Sequence, residues 1–524
     1  MNHYKIASIL DEFSFLCFKY ECNLLPLTCE NWQEILTLEK PDLLLVESTW
    51  KRVNRSLISS NLEDIIEKCH EQHIPTIFWN KEDPLHFDRF IQEAKIFDYI
   101  FTTDLDCVPR YKELLGHERI YLLQFAAQPK LHNPIGREQK KLGLVAFAGT
   151  WYSRRNRRGH DMHILFGPAL KYGLHIYDRT FFARLNSFPK IYRPYIKGGL
   201  PYEEMGSIYK KYVIFINVNT VKYSRTMFAR RLFELLACGV TVISNYSLGI
   251  MEMFPEIVSI CDNEEDTETQ LANLISHEKL RDKRALLGQR KVFTTHTYYH
   301  RMQTILNAVL QAPIQSEPEG VSIIAWVDTW SQFDYIWDNF QRQNYAEKEL
   351  VLIFRTPLNE LEELYERTIN YSNISVFEFE GTVSNEDSFY FGLEQVHFNY
   401  LVCFDANSYY GANFITDLMN SFKYTDAVIA GKVAYYSYSR DNHTLVLEGS
   451  KEEYQYVNRI LSTVAIIKRD AFLKIQPEKL LLTGDGFFLG MANEAKLYSS
   501  DRFNFINRTY QAGLSEALID EVCF

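Results

Sequence analysis

Between residues 40 and 125, the sequence alternates short apolar runs with stretches of helical periodicity. The apolar runs are DLLLVES, TIFWNKED, DYIFTTD and YLLQFAAQ. Such runs, when helical segments join them, are typical of a parallel β-sheet with helices on its faces. The alternation therefore predicts an α/β fold for this part of the chain.

The same alternation returns twice further along. The runs LVAFAGT, LHIYD, VIFINVN, VTVIS and IVSIC predict a second parallel α/β domain, which ends in a long helical stretch over 278–311. A third α/β unit is predicted from VSIIAWVD, ELVLIF, ISVFEFEG, YLVCFDA and AVIAG. The polar segment 130–141 carries Pro and Gly and predicts a hinge. We expect domains at 1–140, 141–312 and 321–524, with a linker at 313–320.

Length and composition agree with several packed domains. The chain has 524 residues, of which 46% are hydrophobic, and a single domain usually holds about 100 to 250. The net charge of −11 argues against a nucleic-acid partner, because a phosphate backbone would be repelled. The nine cysteines lack metal-site spacing and indicate a reducing compartment. No signal-peptide pattern and no run of about 18 apolar residues occurs, so we expect a cytoplasmic protein without a transmembrane segment.

Polar residues follow three predicted strands of the first domain, namely Glu47 and Ser48, Asn80 to Asp83, and Thr102 to Asp104. The carboxyl ends of parallel strands line the ligand crevice of an open sheet. The three groups therefore predict a site at one sheet edge. Alternatively, Asp83 and Asp104 are ordinary N-caps of the helices that follow them.

In the second domain, FAGTWYSRRNRR follows a predicted strand. Backbone N–H groups near Gly149 and the guanidinium groups of Arg154 and Arg155 are candidates to hold a diphosphate. The alternative is a solvated basic start of a helix.

The segment RRLFELLACGVTVISN, residues 230–245, places Glu234 among apolar residues of a helix that stops at Cys-Gly. A buried carboxylate costs several kcal/mol unless it is paired. The hydroxyl groups of a nucleotide ribose would be suitable partners. So would Arg230 or Arg231, without any ligand, and both alternatives stay open.

Several of these stretches together resemble a known family. They are PDLLLVESTW, IPTIFWNKEDPLHFDRFI, FDYIFTTD, FAGTWYSRR, RRLFELLACG and HTYYHRMQTIL. In this order, over about residues 10–310, they resemble the CgeB-like glycosyltransferases, the spore maturation protein family. The resemblance implies a GT-B fold, in which two Rossmann-like domains face a cleft and the second holds a nucleotide-sugar donor. It implies sugar transfer to a glycan acceptor on a cell or spore surface, with no certain cofactor.

The resemblance also implies roles for individual residues. Glu234 would contact the donor ribose, and Arg154, Arg155 and Arg231 would stabilise the leaving diphosphate. Many retaining GT-B enzymes carry a second glutamate eight positions earlier, where this chain has Thr226. The candidates for a general base at the cleft are Glu82, Asp83 and His86, followed by Asp104. The last helix, with His296 to Arg301, would pack back toward the first domain.

The third domain resembles the family-2 glycosyltransferases of GT-A fold through VSIIAWVDTW, NYAEKELVLIF and SFYFGLEQVHFNYLVCFDANSYYGANF. The metal-binding D-x-D motif of that family reads Asp405-Ala406-Asn407 here, so Asp405 and Asn407 are the candidates for a divalent-metal site. Asp485 in TGDGFFLG would match the catalytic base. The second strand ends in Arg355 instead of an acidic residue. An active second transferase and a degenerate domain that binds glycan or steadies an assembly are both compatible with this pattern.

Two other functions use the same folds. A glycan-binding protein would keep both domains without turnover. A phage enzyme that glucosylates DNA would use the same donor, although the acidic net charge counts against it.

Overall fold

The computed structural model describes residues 1, 3–48, 61–152, 156–183, 187–313, 319–355, 361–379, 383–474, 481–483, 486–490, 496–507 and 513–524. The chain forms two compact units, Met1–Gln315 and Ser316–Phe524. The first unit contains two parallel sheets, and we call the parts built around them the N-lobe and the C-lobe.

The N-lobe is a parallel sheet with helices between its strands. Its strands are β1 (Lys5–Ile9), β2 (Asn23–Pro26), β3 (Leu43–Glu47), β4 (Thr76–Asn80), β5 (Tyr99–Thr102) and β6 (Ile120–Leu122). They lie in the order β2-β1-β3-β4-β5-β6, all parallel. Its helices are Glu12–Phe18, Trp32–Glu34, Leu62–Glu71, Phe87–Ala94 and Cys107–Leu115, with a π-helical turn at Ile35–Glu39.

The N-lobe core follows from its apolar pattern. Every residue of β3 and β4 is buried, as expected for central parallel strands covered on both faces. The helix Phe87–Ala94 buries Phe87, Phe90, Ile91 and Ala94, which share one face at helical spacing. The polar residues that follow the strands are consequently left at the carboxyl edge of the sheet.

The C-lobe is a second parallel sheet. Its strands are β7 (Gly143–Gly149), β8 (His175–Asp178), β9 (Ile196–Gly198), β10 (Tyr212–Asn217), β11 (Thr241–Ser244) and β12 (Ser259–Ile260), in the order β12-β11-β10-β7-β8-β9. Its helices are Asn156–Ala169, Tyr202–Tyr209, Arg231–Ala237, Leu248–Met253, Glu264–Ser276, Glu278–Thr295 and Tyr298–Leu310, with 3-10 turns at Leu170–Tyr172 and Lys190–Tyr195. The predicted two-sheet α/β fold is confirmed.

The predicted long helix over 278–311 is in fact two helices. The first ends at Thr295, and the second begins after Thr297, whose side chain forms a capping box with His300. A capping box satisfies free N–H groups at a helix start, so the chain changes direction here although the apolar pattern continues.

The second of these helices joins the two lobes. The Arg301 guanidinium donates to the carbonyl oxygens of Gln124 (2.8 Å) and Phe125 (2.9 Å) at the end of the N-lobe. Ala127 exchanges backbone hydrogen bonds with His296 and Tyr298. The segment 130–141, predicted as a hinge, is tied to the C-lobe, because Arg137 pairs with Asp282 at 2.5 Å.

The second unit contains a mixed sheet of eight strands in the order β15-β14-β13-β16-β23-β18-β26-β21. The strands of this unit are β13 (Val321–Val327), β14 (Lys348–Phe354), β15 (Ile374–Glu378), β16 (Tyr400–Phe404), β17 (Tyr409–Tyr410), β18 (Ile429–Gly431), β19 (Tyr435–Ser439), β20 (Thr444–Glu448), β21 (Gln455–Val457), β22 (Arg459–Leu461), β23 (Ala465–Lys468), β24 (Leu481–Thr483), β25 (Gly486–Gly490), β26 (Leu497–Ser499) and β27 (Phe505–Asn507). Its helices are Trp330–Arg342, Leu361–Thr368, Asn385–Gln395, Phe414–Ser421, Arg469–Lys474 and Glu516–Val522, with a 3-10 turn at Ser462–Val464. Four further strands form the sheet β17-β27-β19-β20, and β22-β25-β24 form a third sheet.

Candidate active site

The strand ends of the N-lobe meet at one sheet edge. Lys81 is buried after β4 and binds Asp11 at 2.8 Å and Glu47 at 2.7 Å. Burial alone would raise the pKa of Asp11, but Lys81 lowers it to about 2. Burial raises the pKa of Glu47, and Lys81 opposes this effect. The cluster holds two carboxylates and one ammonium group, so it fixes the strand ends to the helix Glu12–Phe18.

Asp83 is fully buried, although its neighbours face a cavity. Its carboxylate accepts hydrogen bonds from Asn80 Nδ2 (2.8 Å), Thr102 Oγ1 (2.6 Å) and Tyr111 OH (3.1 Å). Burial raises the pKa of Asp83 to about 7, although Thr102 and Tyr111 oppose this rise. A pKa near neutrality suits a general base, but Asp83 has no surface exposed to a substrate here.

A cavity of about 980 Å³ lies between the two lobes. The N-lobe contributes Pro84, Leu85, Asp104, Asp106, Cys107 and Arg110, and the C-lobe contributes Arg157, Arg158, Asp161 and the segment 219–224. Two of its charges are paired across the C-lobe, since Lys222 binds Asp161 at 2.8 Å. The Arg158 guanidinium donates to the Val218 carbonyl oxygen at 2.8 Å. The volume matches that of small-molecule sites.

The four predicted base candidates differ in their relation to this cavity. Asp104 lines it, while its Oδ1 accepts the N–H of Cys107 at 3.1 Å. Glu82 and His86 are half-buried on either side of the lining residues Pro84 and Leu85. Asp104 therefore lines the cavity and accepts the first N–H of the helix Cys107–Leu115, whose N-cap residue is Asp106. Asp83 is not the N-cap of the helix Phe87–Ala94, because His86 holds that position.

A second polar site lies at the carboxyl edge of the C-lobe sheet, where β7 ends at Gly149. Gly149 has a φ of +156°, and a Cβ there would lie 2.8 Å from the Phe147 ring and 3.6 Å from Arg231 Nη1. Among the described residues, no group accepts a hydrogen bond from the buried Arg231 Nε, and none binds the buried Thr150 Oγ1. We call Gly149, Thr150 and Arg231 the anion pocket. A buried, unsatisfied guanidinium N–H is costly, so this pocket is suited to an anionic ligand.

Glu234 lies about one turn further along the helix that begins at Arg231 and is 1% exposed. Its Oε1 accepts Arg230 Nε at 2.8 Å and Tyr202 OH at 2.9 Å, and its Oε2 accepts Tyr209 OH at 2.9 Å. Burial alone would raise the pKa of Glu234, but Arg230, then His132 and Arg231, lower it to about 2. The structure thus shows the Glu–Arg pair of the second alternative. Contact with a ribose stays a prediction, and it would require this network to open.

The helix that carries Glu234 ends because of Gly239. Gly239 has a φ of +68°, and Val240 donates its N–H to the Leu235 carbonyl oxygen at 3.1 Å. Left-handed glycines commonly end helices in this way. A Cβ at Gly239 would lie 2.1 Å from Gln289 Nε2. The Cys-Gly break in the sequence therefore turns the chain directly into β11.

Thr226, which stands where many retaining enzymes carry glutamate, connects the lobes. Its Oγ1 accepts the Leu105 N–H at 2.9 Å and donates to the Thr103 carbonyl oxygen at 3.0 Å. Gln124 Nε2 donates to the Thr226 carbonyl oxygen at 3.1 Å. Thr226 therefore joins the two lobes by hydrogen bonds in this structure.

In the second unit, Asp328, Arg355 and Asp405 follow β13, β14 and β16. Arg355 pairs with Asp328 through two bonds, Nε to Oδ1 at 2.9 Å and Nη2 to Oδ2 at 2.5 Å. Asp405 Oδ1 accepts the N–H and Nδ2 of Asn407 at 3.0 and 3.2 Å. No group of three or more metal-ligating side chains occurs within the described ranges. A metal at Asp405 stays a prediction.

Three predicted site residues, Arg154, Arg155 and Asp485, lie outside the described residues. Others were missed by sequence reasoning. Thr150 directly follows the FAG run, and its buried hydroxyl gives no signal in a single sequence. Tyr202 and Tyr209 lie 32 and 25 residues from Glu234, so their pairing depends on the tertiary fold.

Comparison with known proteins identifies part of this unit. Residues 160–307 match the family model described as glycosyl transferase-like. The match spans less than half of the chain and covers most of the C-lobe. A search of curated proteins found no match to the chain. The C-lobe is therefore a glycosyltransferase-like domain, and the prediction of this class is confirmed for that part of the chain.

Several solved structures are similar at low identity. TarM of S. aureus, in complex with Fondaparinux, alpha-GlcNAc-glycerol and UDP, is 9% identical with a TM-score of 0.39 over 53% of this chain and 58% of that chain. Anabaena Alr3699/HepE, in complex with UDP and glucose, is 11% identical with a TM-score of 0.43 over 59% of this chain and 100% of that chain. The mannosyltransferase PcManGT from Pyrobaculum calidifontis, in complex with GDP-Man and Mn2+, is 10% identical with a TM-score of 0.27 over 41% and 65% of the two chains. This chain thus spans less than two thirds of TarM.

Within the described parts of the chain, every helix is too short or too polar to cross a bilayer.

Proposed function

We propose that the first unit transfers a sugar from a nucleotide-sugar donor to a glycan acceptor. The observation that carries this proposal is the anion pocket, because the half-buried Arg231, whose Nε is buried without a hydrogen-bond acceptor among the described residues, lies at the sheet edge of the glycosyltransferase-like lobe. Ligands of open parallel sheets bind at the carboxyl ends of the strands. The donor diphosphate is the anion that we assign to Arg231, Thr150 and the backbone at Gly149.

Arg231 would act when the bond between sugar and diphosphate breaks. Negative charge then grows on the leaving diphosphate, and a fixed guanidinium stabilises such charge better than water does. Arg154 and Arg155, which follow the pocket in sequence, are proposed to add to this stabilisation.

We assign the acceptor to the cavity between the lobes. Its carboxylates, Asp104 and Asp106, are suited to accept hydrogen bonds from sugar hydroxyl groups, and Tyr223 offers an aromatic face that is 75% exposed. Of the four base candidates, we propose Asp104, because it lines the cavity; since it is only 1% exposed, removal of the acceptor proton would require the cleft to open at this residue. Asp83 would hold the strand ends beneath it.

The finer features of the proposal come from the sequence, through its resemblance to known families and through its cysteine, apolar and linker patterns. They are a CgeB-like first unit, an acceptor on a cell or spore surface, a cytoplasmic location and a GT-A-like second unit. The domain limits 1–140, 141–312 and 321–524 belong to the same proposal. A glycan-binding protein without turnover is the second candidate. The observation that favours it is in the second unit, where Asp328 and Arg355, which follow β13 and β14, form an ion pair with each other.

Nucleotide binding tests the proposal. Isothermal titration of the full chain with UDP, GDP, ADP and their sugars should identify one nucleotide series that binds. Arg231→Gln should weaken that binding at least tenfold, because it removes the charge and keeps a similar volume. Lys171→Gln is the control, since Lys171 pairs with Glu268 on the surface of the same lobe. If Arg231→Gln binds as tightly as the wild type, the assignment of the anion pocket is wrong.

A further inference from the structure

Two adjacent phenylalanines of the C-lobe face solvent. Phe181 is 48% exposed and Phe182 is 73% exposed. Their rings meet edge to face, with centroids 5.7 Å apart. Exposed aromatic pairs are costly in water and often mark binding surfaces.

The chain that carries this aromatic pair leaves the sheet beside Gly149 of the anion pocket. The pair follows β8, whose last residue Asp178 lies beside Gly149 in the sheet. The Arg179 N–H donates to the Gly149 carbonyl oxygen at 3.1 Å, and the Phe181 N–H donates to the Asp178 carbonyl oxygen at 3.0 Å. The backbone that carries the two rings is therefore hydrogen-bonded to Gly149, one of the residues that we assign to the diphosphate.

The backbone around the pair is held in place. Thr180 donates its N–H and its hydroxyl to Asp178 Oδ1, both at 2.8 Å. Across from it, a Cβ at Gly199 would lie 3.0 Å from Phe181 Cβ and 3.1 Å from Phe182 Cε2. Gly199 thus lets the chain after β9 approach both phenylalanines closely.

We propose that Phe182, the more exposed of the two rings, stacks on the base of the donor nucleotide while Phe181 supports it edge to face, and that the pair so contributes to donor affinity. The inference rests on the proposed function, because it takes the diphosphate at Arg231 as its anchor. A nucleoside diphosphate carries an aromatic base a short distance from its phosphates. Stacking on aromatic side chains is tolerant of base identity, so these rings supply affinity for any base.

The test separates the base from the phosphates. The full chain is titrated with UDP, with GDP and with inorganic pyrophosphate. In Phe182→Ala and in the double variant Phe181→Ala/Phe182→Ala, the affinity for the better nucleotide should fall by about fivefold to 100-fold. The pyrophosphate affinity should change less than about twofold, and Phe182→Trp should retain nucleotide binding. Leu38→Ala is the control, because Leu38 is 70% exposed in the N-lobe.

The outcomes for the two proposals differ. If Arg231→Gln weakens both nucleotide and pyrophosphate while the phenylalanine variants bind nucleotide like the wild type, the stacking inference is wrong and the anion pocket stands. If Arg231→Gln binds pyrophosphate and nucleotides as tightly as the wild type does, the anion pocket and the stacking inference are both overturned. They are also overturned if the wild type binds neither pyrophosphate nor nucleotides. Equal losses of nucleotide and pyrophosphate in Phe182→Ala would mean a structural effect and would also overturn the inference.

Discussion

The buried negative charge of Glu234 is stabilised by three hydrogen-bond donors of the C-lobe, Arg230, Tyr202 and Tyr209. The network also reaches the N-lobe, because the Arg230 guanidinium lies 4.4 Å from the ring centroid of the N-lobe residue Phe13. At the scale of single residues, this carboxylate is therefore a stabilising group at the lobe junction, whatever further role a nucleotide gives it.

Removing this carboxylate should be costly. Glu234→Ala leaves the Arg230 charge and two tyrosine hydroxyls without their acceptor. We expect the first unit to lose about 3 to 5 kcal/mol of stability, measured by urea unfolding at neutral pH. Glu252→Ala, which breaks an exposed pair with Arg225, should cost less than about 1 kcal/mol. Equal losses in the two variants would contradict the role of the network.

Asp83 should make stability depend on pH. Its pKa is raised to about 7 in the folded protein from 3.8 in the unfolded chain. The folded state therefore binds the extra proton between these values, and the stability contributed by Asp83 is full below pH 4 and is lost as pH rises toward 7. The difference in unfolding free energy between wild type and Asp83→Asn should change by up to about 4 kcal/mol across this range.

Urea unfolding at several pH values between 4.5 and 8 measures this difference. Asp88→Asn, at an exposed carboxylate on the same lobe, is the matched control. A wild-type minus Asp83→Asn difference that stays constant over the range would show that Asp83 keeps an ordinary pKa.

At the scale of elements, the helix Tyr298–Leu310 carries the connection between the lobes. Arg301 is 8% exposed and donates to two N-lobe carbonyl oxygens. Arg301→Leu should lower the stability of the first unit by at least about 2 kcal/mol, because charged hydrogen bonds are lost and the carbonyls stay buried. Hydrogen exchange at residues 124–127 should rise with it. Thr304→Val, on the exposed face of the same helix, should leave both unchanged.

The sequence predicted the central strands of both lobes well, because fully buried parallel strands appear as continuous apolar runs. It missed the break at His296, because apolar spacing continues across it. It also missed the short antiparallel strands of the second unit, such as β19 and β20, in which polar and apolar residues are mixed. Phe181 and Phe182 look like core residues in the sequence, and their exposure follows from the fold.

The candidate site was predicted in part. The convergence of polar strand ends follows from parallel topology, and the structure has this arrangement. The choice between a ligand and an arginine for Glu234 could not be made from sequence, because the partners Tyr202 and Tyr209 belong to a different helix. The sequence already indicated Gly149 as a candidate site residue. That Thr150 Oγ1 and Arg231 Nε have no hydrogen-bond partner among the described residues could be learned only from the structure.

At the scale of the whole molecule, the residues proposed for sugar transfer belong to the first unit. Its two parallel sheets, the cavity between them and the anion pocket lie within Met1–Gln315. In the second unit, the residues that follow β13 and β14, Asp328 and Arg355, form an ion pair with each other. The N-lobe would then bring the acceptor, and the C-lobe the donor, to one cleft.

The claim that the first unit transfers a sugar from a nucleotide-sugar donor is tested by measuring sugar transfer with the full chain. Purified protein is incubated with the nucleotide sugar that binds it and a mixture of neutral glycans, and the nucleoside diphosphate and the lengthened glycans are measured by mass spectrometry. We expect transfer by the wild type and by Lys171→Gln, and a loss of at least tenfold in Arg231→Gln. Transfer that is undiminished in Arg231→Gln would contradict the claim.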